Sequence, residues 1–127
     1  MDMKSVLMIA VLAAAGIPSV ALAQGSPHLS PAFEACVARA GNNTVQRNVC
    51  AQREAGAQDD RLNKAYQRVM RQLDSNPSAK LALRDRQRRW IAERDYTCKI
   101  NGNTVDGGCV VLKTAARADE LESQVRF

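Results

Sequence analysis

Four cysteines constrain this chain most, because each pair brackets a turn. Cys36 and Cys50 flank Gly41-Asn42-Asn43, and Cys98 and Cys109 flank the polar stretch 101–108. An even set in a small chain reads as two disulfides and calls for an oxidising compartment. Metal ligation is disfavoured: no C-x-x-C spacing occurs, and the sole histidine, His28, sits in a Pro/Ser-rich stretch. No metal or cofactor is expected. Three pairings are open. Cys36–Cys50 with Cys98–Cys109 is preferred, because each pair lies nearly equidistant from its turn. A Cys50–Cys98 bridge would miss the helical-hairpin register described below by about five residues, roughly 7 Å at the helical rise.

Residues 1–23 read as an export signal. Lys4 precedes an apolar run at 6–17, and Ala21-Leu22-Ala23 supplies the small-x-small pattern of a cleavage site. The run is short for a membrane span and is broken by Gly16 and Pro18. Cleavage after Ala23 would leave no membrane attachment, placing the protein in the periplasm or outside the cell. The stretch 24–31, with Gly25, Ser26, Pro27, Ser30 and Pro31, reads as a linker, and 32–127 as one domain.

The rest is helical by periodicity. A short helix at 32–40 stops at Gly41-Asn42-Asn43. Thr44 can cap a long second helix ending near Leu73, whose stripe includes Val45, Val49, Leu62, Tyr66, Val69, Met70 and Leu73. Gly56 interrupts that helix and marks a kink or a close helix approach. The third helix spans about 78–98 and the last about 109–125, with Val110, Ala118, Leu121 and Val125 inward. No strand is expected. The fold class is therefore all-α: a small disulfide-linked domain built on a long antiparallel α-hairpin, with a short N-terminal and a C-terminal helix.

Folding the chain about Asn76-Pro77 sets Met70 against Leu83, Tyr66 against Gln87, Leu62 and Asn63 against Trp90 and Ile91, and Asp59 against Arg94. Leu83, Gln87, Trp90, Arg94 and Cys98 line one face of the third helix. Asp59, Asn63, Tyr66, Gln87, Trp90, Arg94 and Asp95 thus form a candidate polar network around the only tryptophan. Paired carboxylates invite a glycosidase reading, but Arg94 beside Asp59 lowers its pKa and unfits it as a general acid. A structural network, and no enzyme, is the preferred reading.

Asp59-x-x-Leu62-Asn63-x-x-Tyr66, then Leu83-x-x-x-Gln87-Arg88-x-Trp90-Ile91-x-x-Arg94-Asp95-x-x-Cys98, then Arg117-x-x-x-Leu121, resembles the LprI-type lysozyme-inhibitor-like family over about residues 36–121. These are small exported bacterial helical proteins. The resemblance implies an envelope protein that binds and blocks a lysozyme or related wall hydrolase. Inhibition of that kind is steric, a loop or helix end filling the enzyme's cleft. The polar loop 101–108 is the candidate contact, through Asn101, Asn103, Thr104 and Asp106, with Arg84 and Arg88 as further contacts.

Charge supplies a second reading. Without the leader the chain keeps 17 basic and 12 acidic side chains, a net +5. Such a balance works against steering toward a basic, animal-type lysozyme. Arg84, Arg86, Arg88 and Arg89, with Arg68 and Arg71, form a basic face. Nucleic acid is not the expected partner, since one aromatic lies nearby and the chain is read as exported. A structural or stress-related module binding anionic cell-wall polymer is the alternative function.

Overall fold

The four helices begin with the same device. In the computed structural model, which describes residues 26–126, α1 (Pro31–Ala40), α2 (Thr44–Gln72), α3 (Pro77–Thr97) and α4 (Gly107–Glu122) are each preceded by a short polar cap. Ser30 Oγ accepts from the Phe33 amide at 3.1 Å, Asn43 Oδ1 from Gln46 at 3.0 Å and Asn76 Oδ1 from Ala79 at 3.1 Å. Asp106 Oδ1 accepts from Gly108 and Cys109 at 2.9 and 3.3 Å. Each cap satisfies an orphan amide of the first turn. The cap of α2 is Asn43 and not Thr44, which is already helical. The stretch read as an export signal lies outside the described residues.

α1 ends at Gly41, whose φ of +54° suits glycine alone at low cost. Both disulfides then close across turns: Cys36–Cys50 ties α1 to α2, and Cys98–Cys109 ties the end of α3 to the start of α4. Their Cα atoms stand 5.7 and 5.5 Å apart.

Two strands occur where none was expected. β1 (Lys99–Asn101) and β2 (Thr104–Val105) pair antiparallel, Lys99 with Val105 and Asn101 with Thr104. The two-residue loop between them, Gly102-Asn103, places glycine with φ +50° at its first position, as a type II′ turn requires. Disulfide and turn together hold this ribbon in extended form, although neither strand buries a residue. Val110-Val111-Leu112, the β-branched cluster of the chain, is helical.

The legs α2 and α3 run antiparallel, and the expected level of Asp59 with Arg94 is met at 4.0 Å. They are not each other's closest partners, however. α4 runs parallel to α2 and lies closest to it, because Ala65, Ala115 and Ala118 present almost no bulk between them. The core is Leu62, Ala65, Val69, Leu83, Ala118 and Leu121, with Tyr66, Met70, Leu73, Trp90 and Val125 packed on it. α3 contributes a single buried side chain, Leu83.

The length of α4 explains two further departures from the expected pattern. At 16 residues against 29 in α2, it covers only the later part of α2, so Val45 in the first turn is 71% exposed. Gly56 does not interrupt α2, which continues through it, and it admits no close neighbour: a methyl there would meet nothing within 4 Å.

Candidate binding surface

Trp90 is the centre of the polar network, but α4 supplies half of it. Arg94 lies 5.2 Å from the Trp90 ring centroid and Arg117 5.9 Å, both within cation–π range. Arg94 donates to Asp95 at 2.9 Å and to Thr114 Oγ1 at 3.2 Å. Arg117, the more buried of the two, donates to Gln87 Oε1 at 3.0 Å and pairs with Glu120 at 2.9 Å. Gln87 therefore bonds Arg117 and not Tyr66, because α4 stands between the two legs at that level. Asn63 faces solvent and takes no part. Asp59 is 59% exposed and only brushes Arg94, so removing Arg94 strands no buried charge.

A second network was not legible in the sequence. Glu54 and Gln58 are buried on α2, and the segment before α1 closes over them. Ser30 donates its amide and hydroxyl to Glu54 at 2.8 and 2.5 Å. Gln58 donates to Glu54 at 2.7 Å and to the His28 carbonyl at 3.1 Å. The His28 amide donates to Asp119 at 3.0 Å, and Arg61 bridges Asp119 and Glu122. Burial alone would push the Glu54 carboxyl up, but donors from Ser30 and Gln58 and the charge of Arg61 hold it below its ordinary value. Asp119 is likewise raised by burial yet held low by Arg61 and by His28. This network fastens residues 28–30 to α2 and α4 and uses its donors and acceptors internally.

The Trp90 network borders an open hollow of about 270 Å³ lined also by Glu93, Lys113 and Glu120, but Arg94 and Arg117 are spent on partners within the domain. The exposed apolar side chains have no such partners. Among the described residues seven large hydrophobic side chains are exposed, and four of them fall in the 17-residue stretch around the second disulfide: Tyr96 at 79%, Ile100 at 58%, Leu112 at 48% and Val105 at 41%. They accompany Asn101, Asn103, Thr104 and Asp106, all exposed, although Asp106 spends its carboxylate on capping α4. Arg84 and Arg88 are exposed on α3 but stand ten or more residues before Cys98, about 15 Å or more at the helical rise. The structure does not bring them to the loop. Ile100 and Val105 carry a signal in the sequence, since apolar residues on either side of Asn101-Gly102 mark a hairpin.

The stretch 96–112 carries one cation, Lys99, and one carboxylate, Asp106. Dividing the domain just turnward of the Asp59–Arg94–Thr114 level extends that neutrality. Residues 26–61 and 92–114, which include the ribbon, hold seven basic and seven acidic side chains. The whole excess of five positive charges lies in residues 62–91 and 115–126, with ten basic and five acidic.

Among the described residues no helix is long and apolar enough to cross a membrane, and no group of acidic, histidine or cysteine side chains is placed to hold a metal ion. No curated protein and no solved structure matches the chain. A family model described as lysozyme inhibitor LprI matches residues 36–121, which run from the middle of α1 through nearly all of α4 and include both disulfides and the Trp90 network. By that match, the chain belongs to the LprI lysozyme inhibitor family.

Proposed function

We propose that this protein is an exported envelope protein that blocks a lysozyme or related wall hydrolase sterically, presenting the β1–β2 ribbon to the enzyme's cleft. The carrying observation is the concentration of exposed apolar side chains at one end of the domain: Ile100 and Val105 on a ribbon locked at its base, and Tyr96 and Leu112 on the helix ends that flank that base. Cys98–Cys109 closes that base, and the Asp106 amide donates to the Cys98 carbonyl at 2.8 Å. A projection ordered before binding loses little conformational entropy on docking. Apolar anchors within a polar rim are the usual composition of a binding hot spot. The neutral charge of this half removes the objection that a chain of +5 must repel a basic enzyme. Two disulfides fit the oxidising compartment in which wall hydrolases act. The ribbon performs no chemistry; it occupies space that substrate needs.

The test is inhibition measured on two substrates, bacterial walls by turbidity and a soluble oligosaccharide, so that masking of the wall by the protein is not mistaken for inhibition. Stoichiometric loss of activity on both substrates is expected. Ile100→Asp and Val105→Asp should each weaken inhibition about tenfold or more by burying an unpaired charge, with the melting temperature unchanged. No inhibition of any lysozyme class, or full inhibition by both variants, would overturn the proposal.

A further inference from the structure

The cations of the turnward half divide into two groups. Arg117 pairs with Glu120 and Lys80 with Asp74, at 2.9 and 2.6 Å. The acidic groups Asp119 and Glu122 are taken by Arg61. Lys64, Arg68, Arg71, Arg84, Arg86, Arg88, Arg89 and Arg126 form no ion pair among the described residues, which leaves eight unpaired cations against one unpaired carboxylate of this half, Asp85, and Asp60 just across the dividing level.

Their placement is as informative as their number. Three hollows of about 580, 470 and 800 Å³ run from the later part of α2 past the end of α4 to α3. The first two share Arg68 and Val125, and the last two share Gln72 and Arg126, so together they form one continuous groove. Lys64, Arg68, Arg71, Arg86 and Arg126 border it. Asp60 and the Arg61–Glu122 pair lie at its first end. The amide of Gln72 fixes the groove's floor, donating to the Gln124 carbonyl at 3.0 Å and accepting from the Arg126 amide at 2.5 Å.

From this we infer that the groove is a docking surface for a linear polyanion carrying phosphate in each repeat, such as a phosphate-containing wall polymer. Four of the five unpaired cations that border it are arginine, whose planar fork matches phosphate oxygens in pairs. A groove bordered on several sides suits a flexible chain better than a flat bilayer. The exposed apolar side chains of this half, Leu81 and Ile91, do not line it, so it lacks the anchors of a membrane-surface site. No aromatic side chain lines it either, so it offers no stacking platform for bases. The inference is independent of the role given to the ribbon.

Binding of the oxidised protein to long-chain polyphosphate, measured across a salt series, tests it. The logarithm of the affinity should fall linearly with the logarithm of salt concentration. Arg68→Gln/Arg71→Gln/Arg126→Gln should weaken binding about tenfold or more and make that slope shallower by two to three. Arg39→Gln/Arg53→Gln/Lys99→Gln removes the same charge from exposed positions in the other half and should change neither by more than about twofold. Equal losses in the two triple variants would show that net charge alone acts, and would overturn the inference. So would binding to phosphatidylglycerol vesicles or single-stranded DNA without binding to polyphosphate.

Discussion

Leu83 is the single side chain through which α3 enters the core, and Leu83→Ala measures how far the domain depends on it. The residue is 1% exposed and packs in the cluster with Leu62, Val69, Ala118 and Leu121. Truncation removes about three methylene equivalents, or about 2.4 kcal/mol at about 0.8 kcal/mol each. The cavity left behind brings the expected loss to about 3–4 kcal/mol, since the surrounding helices are held by a turn and a disulfide and relax only in part. A domain of this size has a total stability of about 5–15 kcal/mol, so the variant should be folded but markedly weakened. Urea unfolding followed by circular dichroism gives the difference, with Leu81→Ala as control: Leu81 is 52% exposed on the same helix and should shift stability by no more than about 0.5 kcal/mol. A loss under about 1 kcal/mol for Leu83→Ala, or equal losses for the two, would refute the account of α3 as a helix secured by one buried side chain.

Gly56→Ala should stabilise by about 0.5–1 kcal/mol in the same assay, because the site is helical, exposed and open. Arg117→Ala should cost about 2–3 kcal/mol and Arg94→Ala about 1, since Arg117 is the more buried and holds Gln87. Stability should fall on acidification: Glu54 and Asp119 have folded pKa values below their ordinary 4.5 and 3.8, so their contribution is complete above those values and is lost as pH falls through the folded ones. Glu54→Gln should flatten the melting-temperature profile below about pH 4.5, and an unchanged profile would count against the Glu54 network. Opening Cys98–Cys109 by paired serine substitution should cost about 3 kcal/mol and abolish inhibition in protein that remains folded at low temperature.

The helices were legible because their signals are local. Apolar periodicity and the breaks at Gly41 and Asn76-Pro77 lie within a few residues of the boundaries they set, although the capping roles of Ser30, Asn43, Asn76 and Asp106 were not read and Thr44 was taken in place of Asn43. The level of Asp59 with Arg94 followed from the symmetry of a short turn. What the chain concealed depends on α4. Periodicity places Ala118 and Leu121 inward, but it does not say that three alanines draw α4 to α2 and leave α3 at a distance. With α4 between the legs, Gln87 meets Arg117, and Asn63 and Asp59 turn to solvent. Glu54 and Gln58 read as ordinary polar positions, because the segment that buries them is remote in sequence and poor in hydrophobic residues. The ribbon was missed for a different reason: strands of three and two residues carry too little pattern to register without their turn. Arg117 and Leu121 were visible as a motif, while the role of Arg117 beneath Trp90 was not.

In the proposed mode of inhibition the ribbon meets the enzyme while the arginine-bordered groove does not. Amide hydrogen exchange of the oxidised protein, alone and saturated with an inhibited lysozyme, measures this residue by residue. Protection should be concentrated between Tyr96 and Leu112, with the amides of residues 64–89 unchanged. Protection confined to residues 64–89, or spread evenly over the domain, would contradict it.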